Sequence, residues 1–315
     1  MKHYLGIDLG GTNIKAGVIR EDFNIVSKHS IPTNHPRPPE ETIADMAAVG
    51  KTALKMAGLT EADISYVGIG APGIHDTNNN RIVFANNLDW IDVDIIPVFK
   101  KYWDIPVFLG NDGDVAALAE VRAGVAKNYN NALMLTIGTG VGGGFIFNNQ
   151  VYHGGDGFGT EPGHLIIVID GELCTCGTRG CLEAYASVTG LIRDTIRAMK
   201  EYPDTVMFEI CGGDTSRVDG QTAFAAAKQG DIAGKIVIDN FIKYLAAGIA
   251  SYIVSLRPQA VILGGGVCNE PTLFDHLYDA VKSRTCVTGS VDIPPILKAK
   301  LGSDAGIIGA ALLGM

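Results

Sequence analysis

Hydrophobic residues near the start of the chain fall into two short runs, 4–8 and 14–19, separated by Leu9-Gly10-Gly11-Thr12-Asn13. Two β-type runs across a glycine turn predict a hairpin, and residues 24–30 predict a third strand. The Pro-rich stretch 32–39 reads as a loop. After it, apolar residues at 43, 46, 47, 54 and 57 recur on one helical face and Gly58 follows, which predicts an amphipathic helix over 40–57. Residues 64–70 predict a short buried strand turned by Ala71-Pro72-Gly73, and a polar turn at 77–80 precedes a strand at 82–84. A strand at 107–109 leads through Gly110-Asn111-Asp112-Gly113 into a helix over about 115–122. The boundary between two lobes is placed at this helix, after residue 115.

Residues 132–147 repeat the opening pattern, with a hydrophobic run, a glycine turn at 138–144 and a second hydrophobic run. Such self-similarity suggests that each lobe begins with the same unit. A long helix is predicted over 231–256, ended by Arg257-Pro258. A strand at 260–263 then runs into Gly264-Gly265-Gly266, and helices follow at 271–282 and 305–313. Strands alternating with helices in both halves predict an α/β protein of two lobes. The most apolar stretch, 244–256, is shorter than the roughly 20 residues of a membrane span and contains Ser251 and Ser255, so no transmembrane helix is expected. An aspartate interrupts the first hydrophobic run and no small-residue cleavage site follows, which does not suit a secretory signal; a cytoplasmic location is expected.

Composition sharpens this picture in three ways. With 315 residues, 47% of them hydrophobic, the chain can bury a full core in two lobes. A net charge of -9 without a basic block argues against binding by neutralisation of nucleic-acid phosphates, which leaves small ligands. Glycine, 40 of 315 residues, is nearly double its usual share of about 7%, so its placement matters.

Three glycine turns, at 10–11, 138–144 and 264–266, each follow an apolar strand. Glycine there lets backbone N–H groups converge on an anion, although each turn alone also suits an ordinary tight hairpin. The first two turns re-enter β-type sequence, so neither a Walker A loop nor a dinucleotide fingerprint is present. Asp8, ending a strand beside the first turn, could hold Mg2+ or its waters or cap the turn. In Asn111-Asp112, the carboxylate could take a proton from a hydroxyl that the amide positions; the same pair is common in turns. His164, Cys174, Cys176 and Cys181, three of them in C-x-C-x4-C spacing, supply an imidazole and three thiolates for a tetrahedral structural zinc ion. Zinc there would staple the loop 163–183 and aim its neighbours. Cys211, Cys268 and Cys286 are isolated and read as core or incidental. Glu161 and Glu183 flank the loop and could accept hydrogen bonds from a polyol. Trp90 suits either a sugar face or the core.

Together these residues resemble the ROK family (repressors, open reading frames and sugar kinases), and within it the glucokinase-like members. The resemblance rests on Asp8-Leu9-Gly10-Gly11-Thr12, Asn111-Asp112, Gly138 to Gly143, Glu161-Pro162-Gly163-His164, the run from Cys174 to Glu183, and Ala260 to Val267. It implies a two-lobed actin-like ATPase (ribonuclease H-like) fold with a zinc-stapled loop in the second lobe. Residues 1–115 and the returning 301–315 would form the first lobe, and 116–300 the second. By the same resemblance Asp112 is the catalytic base. Asn111, Glu161, His164 and Glu183 bind sugar hydroxyls, with Gly73 and Asn87 as further candidates, and His164 also joins the cysteines on zinc. Asp8, Gly10, Gly11, Thr12, Gly138, Thr139 and Gly140 would surround the phosphates and Mg2+, and Gly265 and Gly266 would approach the adenosine.

Two departures bear on the shape of the sugar pocket: Thr160-Glu161-Pro162-Gly163-His164 stands where many relatives carry Gly-Glu-x-Gly-His, and Asp114 stands where they often carry a second Asn. The implied reaction is ATP-dependent phosphorylation of a hexose at its primary hydroxyl, first of all glucose to glucose 6-phosphate. N-acetylmannosamine, N-acetylglucosamine, allose and fructose are the alternatives. Sugar-responsive repressors share these motifs but carry a DNA-binding domain ahead of the first phosphate segment, which here starts by residue 8, and no basic patch replaces it. A non-catalytic nucleotide sensor is the third reading, because fold alone does not imply catalysis; Asp112 argues against it. A homodimer or homotetramer is expected from the resemblance alone.

Overall fold

In the computed structural model, which describes residues 2–286 and 291–315, the opening hairpin forms as its pattern predicts. Strand β1 (His3–Leu9) pairs antiparallel with β2 (Asn13–Arg20), setting Asp8 opposite Lys15, and β3 (Ile25–Pro32) adds along β2. Helix α1 (Pro39–Ala57) starts on a proline, whose missing N–H is no loss in a first turn. It ends at Gly58, whose left-handed φ of 70° lets its N–H close on the Leu54 and Lys55 carbonyls. Strand β4 (Ile64–Ala71) pairs parallel with β1. Then β5 (Ile74–Asp76), β6 (Arg81–Ala85) and β7 (Trp90–Val93) form a small antiparallel sheet, of which the sequence marks only the middle strand. After the short α2 (Ile95–Phe99), β8 (Val107–Asn111) joins β4 in parallel, giving the sheet order β3-β2-β1-β4-β8.

Helix α3 (Asp112–Arg122) begins three residues before its predicted start. The Asn111 side chain caps it, accepting from the N–H groups of Gly113 and Asp114. Next come β9 (Ala132–Ile137), β10 (Val141–Phe147) and β11 (Gln150–Val151), followed by α4 (Leu182–Ala186), α5 (Val188–Glu201), α6 (Met207–Ile210) and α7 (Thr222–Lys228). Helix α8 (Ile232–Leu256), capped by Asp231, leads to β12 (Ala260–Gly264), α9 (Pro271–Lys282), β13 (Ile296–Lys298) and α10 (Ala305–Leu312). The second sheet has the order β11-β10-β9-β12-β13. Helix α8, at 25 residues, is long and apolar enough by length and composition to cross a membrane. It is nevertheless a core helix, packed by α4, α5, α7 and α9.

The chain divides into two compact units, one of residues 1–134, 143–160 and 299–315, the other of 135–142 and 161–298. The division expected after residue 115 lies elsewhere because α3 packs on α10 and β11 packs on α3, which keeps 116–134 and 143–160 with the first unit. In that unit one sheet face is covered by α1, with Leu5, Ile7, Ile43, Met46 and Trp103 at the centre. Helix α10 covers the other so closely that a Cβ on Gly6 would sit 1.9 Å from the Ile307 carbonyl oxygen, and one on Gly68 1.8 Å from that of Ala310. Only glycine permits that approach. Trp90, 2% exposed, is part of the same core and not a sugar platform.

Candidate active site

In the first unit, β1 delivers Asp8 beside the first glycine turn, and its carboxylate lies 3.3 Å from the Lys15 ammonium on β2. Burial raises the Asp8 carboxyl and Lys15 pulls it back, with a net rise. A Cβ on Gly306 would meet this carboxylate at 2.6 Å, so glycine at that position lets Asp8 lie against the start of α10.

Asp112 opens α3, where the N-terminal dipole favours its charge and its own carboxylate accepts the Gly113 N–H at 2.8 Å. Water reaches the residue, yet the protein crowding it withdraws enough solvation to push its carboxyl up to about 6; the negative charge of Asp8 adds to the rise. Accessibility and crowding act together here. A substrate can reach the group, and its proton affinity lies near neutrality, where general bases work best.

Asn111 is mostly engaged in structure. Its Oδ1 accepts from Gly113 and Asp114, and its Nδ2 donates 2.9 Å to the Gly73 carbonyl, leaving one amide hydrogen for a ligand. Gly73, at φ 105°, has Phe84 carbonyl oxygen 2.3 Å from where a Cβ would be, so it is confined to glycine. Asn87 is exposed on the 3-10 turn after β6, and its carbonyl and Cβ lie within 3.7 Å of the position a Gly11 Cβ would take. The first unit thus joins Asp8, Asp112, Asn111 with Gly73, and the first glycine turn with Asn87.

In the second unit the turn 138–140 is closed by the Gly138 N–H on the Gly140 carbonyl. Its other carbonyls face the start of α5: Gly138 accepts from the Val188 N–H at 2.9 Å and Thr139 from the Thr189 hydroxyl at 2.7 Å. Gly265, at φ 99°, lies against the end of β9, with the Ile137 carbonyl oxygen 2.0 Å from a notional Cβ, whereas Gly266 borders open space. Glu161 is exposed just before the 3-10 turn Pro162–His164, which the Tyr252 hydroxyl anchors through the Pro162 carbonyl at 2.7 Å.

The donor atoms of His164, Cys174, Cys176 and Cys181 all lie within 4.8 Å of one another. His164 Nδ1 is 3.6 Å from Cys174 Sγ, and Cys176 Sγ is 3.7 Å from Cys181 Sγ. That sulfur separation is far longer than a disulfide. It matches the edge of about 3.8 Å that bonds of about 2.3 Å to a tetrahedral zinc ion require, so the donor set fits zinc. Glu183 connects this cluster to the second glycine turn. Its Oε1 accepts from the Thr175 hydroxyl at 2.6 Å and its Oε2 from the Val141 N–H at 2.9 Å, while Oε2 lies 2.3 Å from where a Gly140 Cβ would stand.

Several neighbours of these residues carry no signal in a linear reading. Lys15 meets Asp8 only through strand register. Thr175 sits between two cysteines as an unremarkable polar residue. His75 is buried, with Nε2 3.0 Å from the Ala71 carbonyl, and burial holds it neutral by lowering it to about 4. Asp114 is also buried, 3.8 Å from His153 Nδ1. Of the remaining cysteines, Cys211 and Cys268 are buried and Cys286 is exposed.

This architecture recurs in solved structures. A ROK family glucokinase from Streptomyces griseus, in complex with glucose and AMPPNP, superposes over 99% of this chain and 98% of its own at a TM-score of 0.81 and 32% identity. A ROK hexokinase from Thermus thermophilus does so over the same shares at 0.82 and 32%. The fold is that of the ROK sugar kinases, of the actin-like ATPase type. The ROK family model matches residues 4–315, and the chain belongs to that family. In sequence it is 35% identical over 309 residues to a glucokinase of Thermotoga maritima, covering 98% of this chain and 95% of that relative.

Proposed function

We propose that this protein transfers the γ-phosphoryl group of ATP to the primary hydroxyl of a hexose, with glucose as the substrate and glucose 6-phosphate as the product. The observation that carries the reading is Asp112: an accessible carboxylate at the start of a helix, raised to about 6 by burial and by the charge of Asp8. The sugar oxygen attacks the γ-phosphorus in line and gives its proton to Asp112 as the bond to ADP breaks. The first turn, Gly10, Gly11 and Thr12, and the second, Gly138, Thr139 and Gly140, surround the phosphates; the Gly10 and Gly138 N–H groups close the turns on the Asn13 and Gly140 carbonyls, and the amides of Gly11, Thr12, Thr139 and Gly140 face the anion. Bound Mg2+, with Asp8 beside it, supplies charge neutralisation. Gly265 and Gly266, lacking side chains, leave room for the adenosine.

Sugar hydroxyls are held by the remaining Asn111 amide hydrogen, by Glu161 and Glu183, and by His164 through Nε2. Nδ1 of His164 faces Cys174 and belongs with Cys176 and Cys181 to the structural zinc site. Gly73 and Asn87 line the sugar from their turns. Three thiols grouped with an imidazole suit a reducing compartment, and a cytoplasmic homodimer or homotetramer completes the reading.

A coupled ADP-release assay with Mg-ATP against glucose, N-acetylmannosamine, N-acetylglucosamine, allose and fructose tests it. Glucose is expected to turn over fastest, and Asp112→Asn to lower kcat by about 10²- to 10⁴-fold. Near wild-type turnover in Asp112→Asn would remove the base from the mechanism. A faster sugar would change the substrate, and nucleotide binding without turnover on any sugar would leave the sensor reading.

A further inference from the structure

We propose that Thr33 is a positioning residue for the first phosphate turn, holding its carbonyls inward so that its amide hydrogens face the nucleotide. The inference rests on the kinase reading above. Thr33 follows β3, whose last residue, Pro32, stands opposite Asn13. It is completely buried, and it makes two hydrogen bonds into the turn: its hydroxyl donates 2.6 Å to the Gly10 carbonyl, and its N–H donates 2.8 Å to the Thr12 carbonyl.

In a tight turn the carbonyl of the first residue ordinarily takes the N–H of the fourth. Here the turn runs from Gly10 to Asn13, and only the reciprocal bond is made, from the Gly10 N–H to the Asn13 carbonyl at 2.9 Å. Among the described residues the Asn13 N–H does not bond the Gly10 carbonyl; the Thr33 hydroxyl occupies that carbonyl instead. A peptide group is planar and trans, so its C=O and the following N–H point in opposite directions. Holding the Gly10 carbonyl inward turns the Gly11 N–H outward, and holding the Thr12 carbonyl inward does the same for the Asn13 N–H. Residues 11, 12 and 13 are all exposed. Without the hydroxyl, the half-buried Gly10 carbonyl regains a donor by closing on Asn13, which removes one phosphate-binding hydrogen from the turn.

The test compares Thr33→Ser, which keeps the hydroxyl, with Thr33→Ala, which has nearly the same size and lacks it; Thr33→Val preserves the shape of threonine. Binding of Mg-AMPPNP is measured by calorimetry, and KM for glucose and ATP by the coupled assay. Thr33→Ser is expected within about threefold of wild type. Thr33→Ala and Thr33→Val are expected to bind nucleotide about tenfold more weakly with KM for glucose little changed. Amide exchange gives a readout that simple loosening would not produce: the Asn13 N–H exchanges more slowly in Thr33→Ala than in wild type. If Val fails to fold, the Ser and Ala pair carries the comparison. Equal nucleotide binding by Ser and Ala, or faster exchange at Asn13 in Ala, overturns the role of Thr33 while leaving the kinase reading intact. A wild-type protein that binds no nucleotide overturns both.

Discussion

Asp112 is subject to opposing local effects. The helix start and the Gly113 N–H favour its charge, whereas crowding by protein and the charge of Asp8 oppose it and prevail, giving a carboxyl at about 6 against an ordinary 3.8. A carboxyl that holds its proton more tightly when folded makes the folded state bind more protons between those two values, so stability declines as pH rises through about 6. Thermal unfolding of Asp112→Asn is therefore expected at a higher temperature than wild type at pH 8, with the difference closing by pH 4. Activity should run the other way: kcat/KM of the wild type is expected to fall about tenfold per pH unit below about 6 as the base is protonated, which a pH–rate profile checks. The Cys/His cluster is legible in the sequence because its chemistry is carried by residue type and short spacing, and Asp112 because the motifs around it resemble those of the family. Lys15 and Thr33 are not, because one acquires its role from strand register and the other from a hydroxyl that reaches a carbonyl 23 positions away.

Elements differ in how strongly their residues announce them. Helix α9 has its predicted limits and α1, α8 and α10 differ by one residue at an end, since each combines apolar periodicity with a clear stop or start. Strands β5 and β13 have three residues each and β7 has four, too few for a period of two to register; pairing with neighbours makes them strands. Helix α5 goes unmarked although Leu191, Ile192, Ile196 and Met199 have helical spacing, because Thr189 and Gly190 obscure its start.

Two elements have consequences that can be measured. In the loop of the proposed zinc site, Arg179 is exposed between Cys176 and Cys181. Chelation or Cys176→Ser is expected to remove one zinc per chain and to expose the bond after Arg179 to trypsin, followed by metal analysis and mass spectrometry. On α3, Glu120 is fully buried, and its carboxylate accepts three backbone N–H groups: Val125 at 2.9 Å, and Lys300 and Leu301 each at 2.7 Å. Glu120→Gln places an amide NH2 against one of those donors and should destabilise the protein by about 2–3 kcal/mol in urea unfolding.

For the molecule as a whole, alternating strands and helices reveal two units, but the exact segments assigned to each depend on packing that no local pattern records. The chain leaves the first unit at 134 and at 160 and re-enters it for the last time at 299. The close fit of α10 over Gly6 and Gly68 has a consequence for biosynthesis. Helix α10 supplies one of the two layers over the first sheet, yet it is translated after every residue of the second unit. Strands β1 to β4 therefore wait on the ribosome with one face uncovered while a later part of the message is read, reversing the usual order in which N-terminal domains mature first. Ribosome-bound chains arrested near residue 300 should show a protease-resistant second unit and a first unit that is still digestible, and release of the last residues should protect both. The opposite order would mean that the glycine-lined sheet face holds its shape before its helix arrives.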